Sequence, residues 1–332
     1  MFRRIRNFVS RHPKKITAVA VIAVGTLAWK FARRRFEQWQ ENESRRLMEA
    51  ARKQQHFEAT LRTADSAMIA LGPAIARAVN EALDTSDIVA RLRELRDKKG
   101  EEWRAAWAQL KELVICRVVA LVYSQALLCV LLRPDLDESQ LATCQSLITS
   151  GVPSICRVVA SAVARCPLVT KANLGQHFTL EDIERMLWSV QTLLCEDPIT
   201  DPLRNIPRLT REEGLEVREL LGSDEVWSLA SSCVSRGLAH TVDSVASFYT
   251  DPSAAGTSND QTLLTPLSLP LAKVIPILDG VCRRAALDQQ LSTGTVDFLK
   301  LLASDEKLKT LSANIYEAFG DTDLNHNPRF SN

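Results

Sequence analysis

An uncharged apolar run at residues 16–29, closed on both sides by cations, constrains this chain more than any other feature. Arg3, Arg4, Arg6, Arg11, Lys14 and Lys15 precede it with no acidic residue among them, and Lys30, Arg33, Arg34 and Arg35 follow it. The run is shorter than the roughly 20 residues that cross a bilayer as a helix. Lys30 can, however, carry its ammonium out to the headgroups on its aliphatic stem and let Phe31 and Ala32 join the span. Three other readings compete. A secretory signal peptide would be cut at a small-x-small site after the apolar segment, and Lys30 and the arginines stand there instead. A mitochondrial presequence shares the Arg-rich, acid-poor arm but is richer in serine and lacks the apolar run. The third is a basic helix lying on a membrane surface. The expectation is an uncleaved anchor: a basic tail at 1–15, a transmembrane helix at 16–32 and one large domain at 33–332. Cations on both flanks leave its orientation open.

The part beyond the anchor is long enough for a sizeable core, and the chain is 46% hydrophobic. Its 41 basic and 40 acidic residues leave a net charge of +1, six of the basic ones lying in the N-terminal arm, so the large domain has no basic footprint for nucleic acid. The eight cysteines, Cys116, Cys129, Cys144, Cys156, Cys166, Cys195, Cys233 and Cys282, are never closer than ten positions apart. Neither a CxxC metal pair nor a disulfide framework is visible. Buried free thiols fit a reducing compartment, which places the domain on the cytosolic side.

With only 12 glycines and 13 prolines, and apolar residues recurring three and four apart, the domain reads as all-α. The pattern predicts one long helix over 36–82, with a bend possible at Gly72-Pro73, and a second starting with Ser86 or Asp87 as N-cap. A third runs over 101–132, and further helices are expected at 138–150, 152–164, 180–194, 211–221, 224–248, 269–286 and 292–319. Residues 197–209 and 250–265 read as connections, and the end from Gly320 as frayed. Within the third helix, 118–132 carries no charge and competes as a second membrane span. Tyr123, Ser124 and Gln125 interrupt it and no cationic clusters flank both ends, which favours a central helix buried by its neighbours.

The search for reaction chemistry finds none. His12, His56, His177, His240 and His326 are scattered singly, with no HExxH, P-loop, GxGxxG or GxSxG pattern. His56, in Gln55-His56-Phe57-Glu58, reads as a satisfied core histidine, and Glu58 and Arg62 as a pair along one helix face. No metal or cofactor is implied, and the chain reads as a non-enzyme. Trp103, Trp107 and Leu110 share one helical face behind Lys98 and Lys99. Ordinary core packing and an exposed apolar groove with a cationic rim, suited to an amphipathic helix, are both open to that spacing.

Several segments together resemble the peroxisomal biogenesis factor 3 family. They are Asn7-Phe8 with Arg11-His12, then Gln55-His56-Phe57-Glu58 with Arg62-Thr63, then Val122-Tyr123-Ser124 leading to Val130-Leu131-Leu132-Arg133. Arg236-Gly237, the proline-flanked run 268–277 and Asn314-Ile315-Tyr316-Glu317-Ala318-Phe319 complete the set. The resemblance implies an elongated helical bundle with a single N-terminal transmembrane helix, in the peroxisomal membrane, N-terminus in the matrix and bulk domain cytosolic. It further implies a docking receptor without catalytic activity, which binds the N-terminal amphipathic helix of peroxisomal biogenesis factor 19, the carrier of newly made peroxisomal membrane proteins. The family's groove tryptophan corresponds to Trp107, Leu110 follows at the matching offset, and Lys273 matches the lysine of the proline-flanked run. Leu92 or Leu95, and Lys98 or Lys99, are the candidates for the preceding leucine and lysine. The connection after Leu132 is shorter than in the family. A membrane-anchored lipid-binding protein, with a cavity between 114–132 and 269–278, or an organelle tether, is the rival reading.

Overall fold

The computed structural model describes residues 13–97, 100–133, 138–205, 222–249, 267–287 and 293–324. The first helix, α1, runs from Pro13 to Ala82 through Pro73 without interruption, joining in one element the expected span and the expected helix over 36–82. The chain divides into two units, Met1–Ala59 and Thr60–Asn332, and α1 contributes to both. In the first unit Leu27, Trp29, Phe31, Phe36 and Trp39 are all exposed, and the Phe36 and Trp39 rings lie 5.9 Å apart. His56 is exposed as well, which corrects its reading as a core histidine. The basic tail at 1–12 lies outside the described residues, as do the side chains at 13–25.

In the second unit α1 turns apolar on one face, where Ala64, Met68, Ile75, Ala76 and Val79 are buried at spacings that keep them on a common side. Asp84 Oδ1 accepts from the Ser86 amide and hydroxyl at 3.0 and 2.8 Å and opens α2 (Ser86–Glu94). The N-cap position belongs to Thr85, whose side chain makes no cap bond, so the sequence placed the cap one or two residues late. Gly100 precedes α3 (Glu101–Leu131), the central element: every residue from Val114 to Leu132 is buried. Apolar length alone would let α3 cross a membrane, but its neighbours enclose it, and the central-helix reading holds. The stretch Ala142–Arg165 is also long and apolar enough to span, though less than half of its apolar window is buried.

That stretch comprises α4 (Glu138–Ser146), a π-helical turn at Leu147–Gly151 and α5 (Val152–Arg165), which packs along α3. The short α6 (Pro167–Thr170) leads to strand β1 (His177–Phe178) and α7 (Leu180–Cys195). α7 starts on a complete capping box, Thr179 and Asp182 each serving the other's backbone amide. α8 (Asp224–Ala246) follows and ends in a 3-10 turn at Ser247–Tyr249. The expected helix at 211–221 and the connection at 250–265 lie outside the described residues.

Strand β2 (Leu269–Pro270) pairs antiparallel with β1, Phe178 opposite Leu269, a two-residue ladder that the all-α expectation did not contain. α9 (Leu271–Ala285) starts there. The expected helix over 292–319 is two elements, α10 (Thr293–Ala303) and α11 (Glu306–Leu324), separated by Ser304 and Asp305, and α11 continues past Gly320. Asp305 forms an ion pair with Arg236 of α8. α3 is thus surrounded by α2, α5, α8 and α9.

Gly237 permits the tightest of these approaches, since a Cβ there would lie 2.5 Å from Val122 Cγ1 and 2.6 Å from Phe298 Cζ. All eight cysteines are free, and all but Cys195 are buried. Between α3, α8, α9 and α10 a cavity of about 50 Å³ remains, room for a few waters and far too little for a lipid chain.

Candidate functional site

The first half of α3 carries the aromatic pair. Trp103 and Trp107 stand one helical turn apart with ring centroids 6.0 Å apart in an edge-to-face arrangement, each half-buried. Trp107 packs on the core, and its indole N–H is buried without an acceptor among the described residues. Ala106 and Leu110 lie deeper, so Leu110, 6% exposed, forms floor and not surface.

α2 covers one flank of this stretch. Not one of its residues is fully buried; Ile88, Val89 and Leu92 are half-buried against the core, and Leu95 at its C-cap is half-buried too. A helix that buries so little keeps an apolar stripe partly open to solvent. The charges beside it are mixed: Arg91, Arg93, Arg96 and Arg104 alternate with Asp87, Glu94, Asp97, Glu101 and Glu102, all exposed. The cationic rim expected from Lys98 and Lys99 is therefore not decided by these mixed charges, and both lysines lie outside the described residues.

α9 forms the other flank, and its position is fixed at both ends. At its start the Leu271 and Ala272 amides donate to the carbonyls of Gln176 and Leu174 at 2.9 and 3.1 Å, which satisfies first-turn donors that Pro270 cannot cap with a side chain. The same loop accepts from α3: Lys111 Nζ donates to the Ala172 and Thr170 carbonyls at 3.0 and 3.3 Å, and burial lowers the pKa of that ammonium. Two turns further on, Arg117 of α3 donates to Asp279 Oδ1 at 2.6 Å, to the Leu83 carbonyl at 2.7 Å and to the Asn80 carbonyl at 3.1 Å. Asp279 also accepts from Arg283, which reaches Thr85 Oγ1 at 3.2 Å. α9 and α2 are thereby tied together at the level of Arg117 and flank α3 from there toward Trp107.

Lys273 is exposed on α9, near the loop that Lys111 holds. The structure thus places Leu92, Leu95, Trp107, Leu110 and Lys273 on α2, α3 and α9, which are neighbouring elements, and of the five Leu110 is the one that is buried. Sequence reasoning had no access to the Arg117–Asp279 tie, whose members are 162 positions apart. Among the described residues no group of three or more histidine, cysteine or acidic side chains could hold a metal ion.

The chain is 25% identical to peroxisomal biogenesis factor 3 of Rattus norvegicus over 378 residues, which covers 96% of this chain and 98% of that protein. The proteins of the same name from Bos taurus and Homo sapiens are likewise 25% identical with the same coverage. No family model matches the chain.

Proposed function

We propose that this chain acts in peroxisome biogenesis as a membrane-anchored docking receptor for the amphipathic N-terminal helix of peroxisomal biogenesis factor 19. The observation that carries the reading is similarity to biogenesis factor 3 proteins along nearly the whole of both chains. In this reading α1 anchors the protein in the peroxisomal membrane through residues 16–32, the N-terminus lies in the matrix, and the domain from residue 33 lies in the cytosol. The exposed Trp29, Phe31, Phe36 and Trp39 beside Lys30 and Arg33 suit a membrane–water interface, where aromatic rings and snorkelling cations are favoured.

Docking would be a non-enzymatic act of surface burial. The incoming helix sets apolar side chains against Trp107, Leu92 and Leu95, above the floor that Leu110 completes, while Lys273 draws carboxylates on its edge. Anchor tryptophans dominate such contacts, and truncating one costs on the order of 2 kcal/mol, about thirtyfold in affinity. A lipid chain buried against 114–132 finds little support, since that stretch is packed and the cavity between it and 281–285 is about 50 Å³.

The test is binding of the full chain, in detergent micelles, to a labelled N-terminal helix of biogenesis factor 19, with wild type and Trp107→Ala compared at equal helical content. Saturable binding by wild type, weakened at least tenfold in the variant, is the expected result. Absence of binding by folded wild type would sink the docking reading.

A further inference from the structure

Two glycines sit inside helices of the second unit for different reasons. Gly237 is required by the fold, because Val122 and Phe298 occupy the space of a side chain. Gly280, in the middle of α9, has no such neighbour: the nearest atom to a Cβ there would be Nη1 of Arg284 at 3.4 Å, the far end of a flexible side chain. Its φ is not in the left-handed region that would demand glycine. A mid-helix glycine weakens a helix relative to alanine. Nothing within the described residues offsets that loss, whereas close approach of an outside backbone would use it.

The surroundings of Gly280 specify what approaches. Lys273, Pro276, Ile277, Gly280 and Arg284 recur at helical spacing along one face of α9, each exposed or half-buried. The face has a cation at either end and apolar or small residues between. Neither Lys273 nor Arg284 bonds a carboxylate among the described residues. Asp279, the acid of this helix, is 14% exposed and committed to Arg117 and Arg283. The Arg284 guanidinium lies back over Gly280, seven positions from Lys273 and so about 10 Å along the axis.

Resting on the docking reading above, we propose that the outer face of α9 from Lys273 to Arg284 is a further part of the docking surface. It takes a segment of helix that carries two carboxylates about two turns apart, one toward Lys273 and one toward Arg284. Between them an apolar residue packs on Ile277, with the partner's backbone close over Gly280. The charge of this face excludes a cationic helix and gives the interaction a salt dependence that Trp107 alone would not confer.

The experiment uses the full chain in detergent micelles and the labelled N-terminal helix of biogenesis factor 19, with Gly280→Leu, Arg284→Glu and Trp107→Ala measured beside wild type. Circular dichroism and melting check each variant. Gly280→Leu displaces the flexible end of Arg284 and no backbone, so it should fold as wild type yet weaken binding at least tenfold. Arg284→Glu should weaken it by a similar factor and flatten its salt dependence. Full affinity in both, with Trp107→Ala still impaired, overturns the α9 surface and leaves the docking reading standing. If wild type itself does not bind, both fall. Should the two α9 variants change only the self-association of the chain, measured by light scattering on the same samples, the face meets a second copy and the proposal is overturned.

Discussion

Arg117 and Asp279, 162 positions apart in the chain, meet at 2.6 Å and join the central helix α3 to α9. The Arg117 side chain is 3% exposed and also serves the Leu83 and Asn80 carbonyls, orphan acceptors at the C-terminal end of α1. Removing Arg117 leaves Arg283 as the remaining cation on Asp279 and strips the Leu83 and Asn80 carbonyls of their donor, a loss of about 3 kcal/mol. Arg117→Met is expected to destabilise the protein by that order in chemical denaturation. Arg117→Lys should recover only a minor part, because an ammonium cannot fork to acceptors on two elements as a guanidinium does. Equal stability of Arg117→Lys and wild type would show that the three bonds contribute little.

The two glycines discussed above give a paired prediction. Gly237→Ala drives a methyl group into Val122 and Phe298, an overpacking that costs about 1–3 kcal/mol. Gly280→Ala meets only Arg284, whose end can move, and should stabilise α9 by about 0.5–1 kcal/mol. Melting of the two variants in the same detergent decides the matter, and shifts of the same sign would contradict the packing described.

At the start of α7, hydrogen bonds from the Thr179 amide and then its hydroxyl lower the pKa of the Asp182 carboxyl. A carboxyl with a lowered folded pKa contributes stability above its unfolded value and loses it as pH falls through the folded value. Thr179→Ala should therefore cost about 1 kcal/mol at neutral pH, with the difference from wild type shrinking in acid below the ordinary carboxylate range. A pH-independent difference would argue against the reciprocal bond.

How much of this was legible in the sequence depended on the range of the interactions. α3 was readable because 118–132 is apolar on every face, a pattern that only full burial or a membrane satisfies, and α7 because its apolar stripe is local, although its Thr179–Asp182 cap was not identified. The break at Ser304-Asp305 was not, since both sides share helical periodicity and the Arg236–Asp305 ion pair that meets the break comes from α8. The same holds for β1 and β2, two residues each, formed only because α9 docks on the loop at 174–176. Around the candidate site, Trp107 and Lys273 were identified through family resemblance, whereas the tie from Arg117 through Asp279 to Arg283 exists only in three dimensions. Leu110 was legible as apolar on the right face, but its depth beneath the surface was not.

The cysteines supply the last prediction. Burial pushes the thiols of Cys116, Cys156 and Cys282 up to about 12 and that of Cys233 to about 11. At mildly alkaline pH a thiol at 12 is about one part in ten thousand thiolate, and the thiolate is the species that attacks a disulfide or alkylating reagent. Cys195 is raised by burial as well but is only half-buried, on the last turn of α7. Treated with iodoacetamide, the native protein should take label first at Cys195 and very slowly elsewhere, whereas all eight thiols react once the chain is unfolded. Mass spectrometry of peptides from timed samples gives the order. Rapid native labelling of Cys116 or Cys282 would mean that α3 and α9 separate on the timescale of the reaction, and would place the walls of the proposed docking surface on a mobile footing.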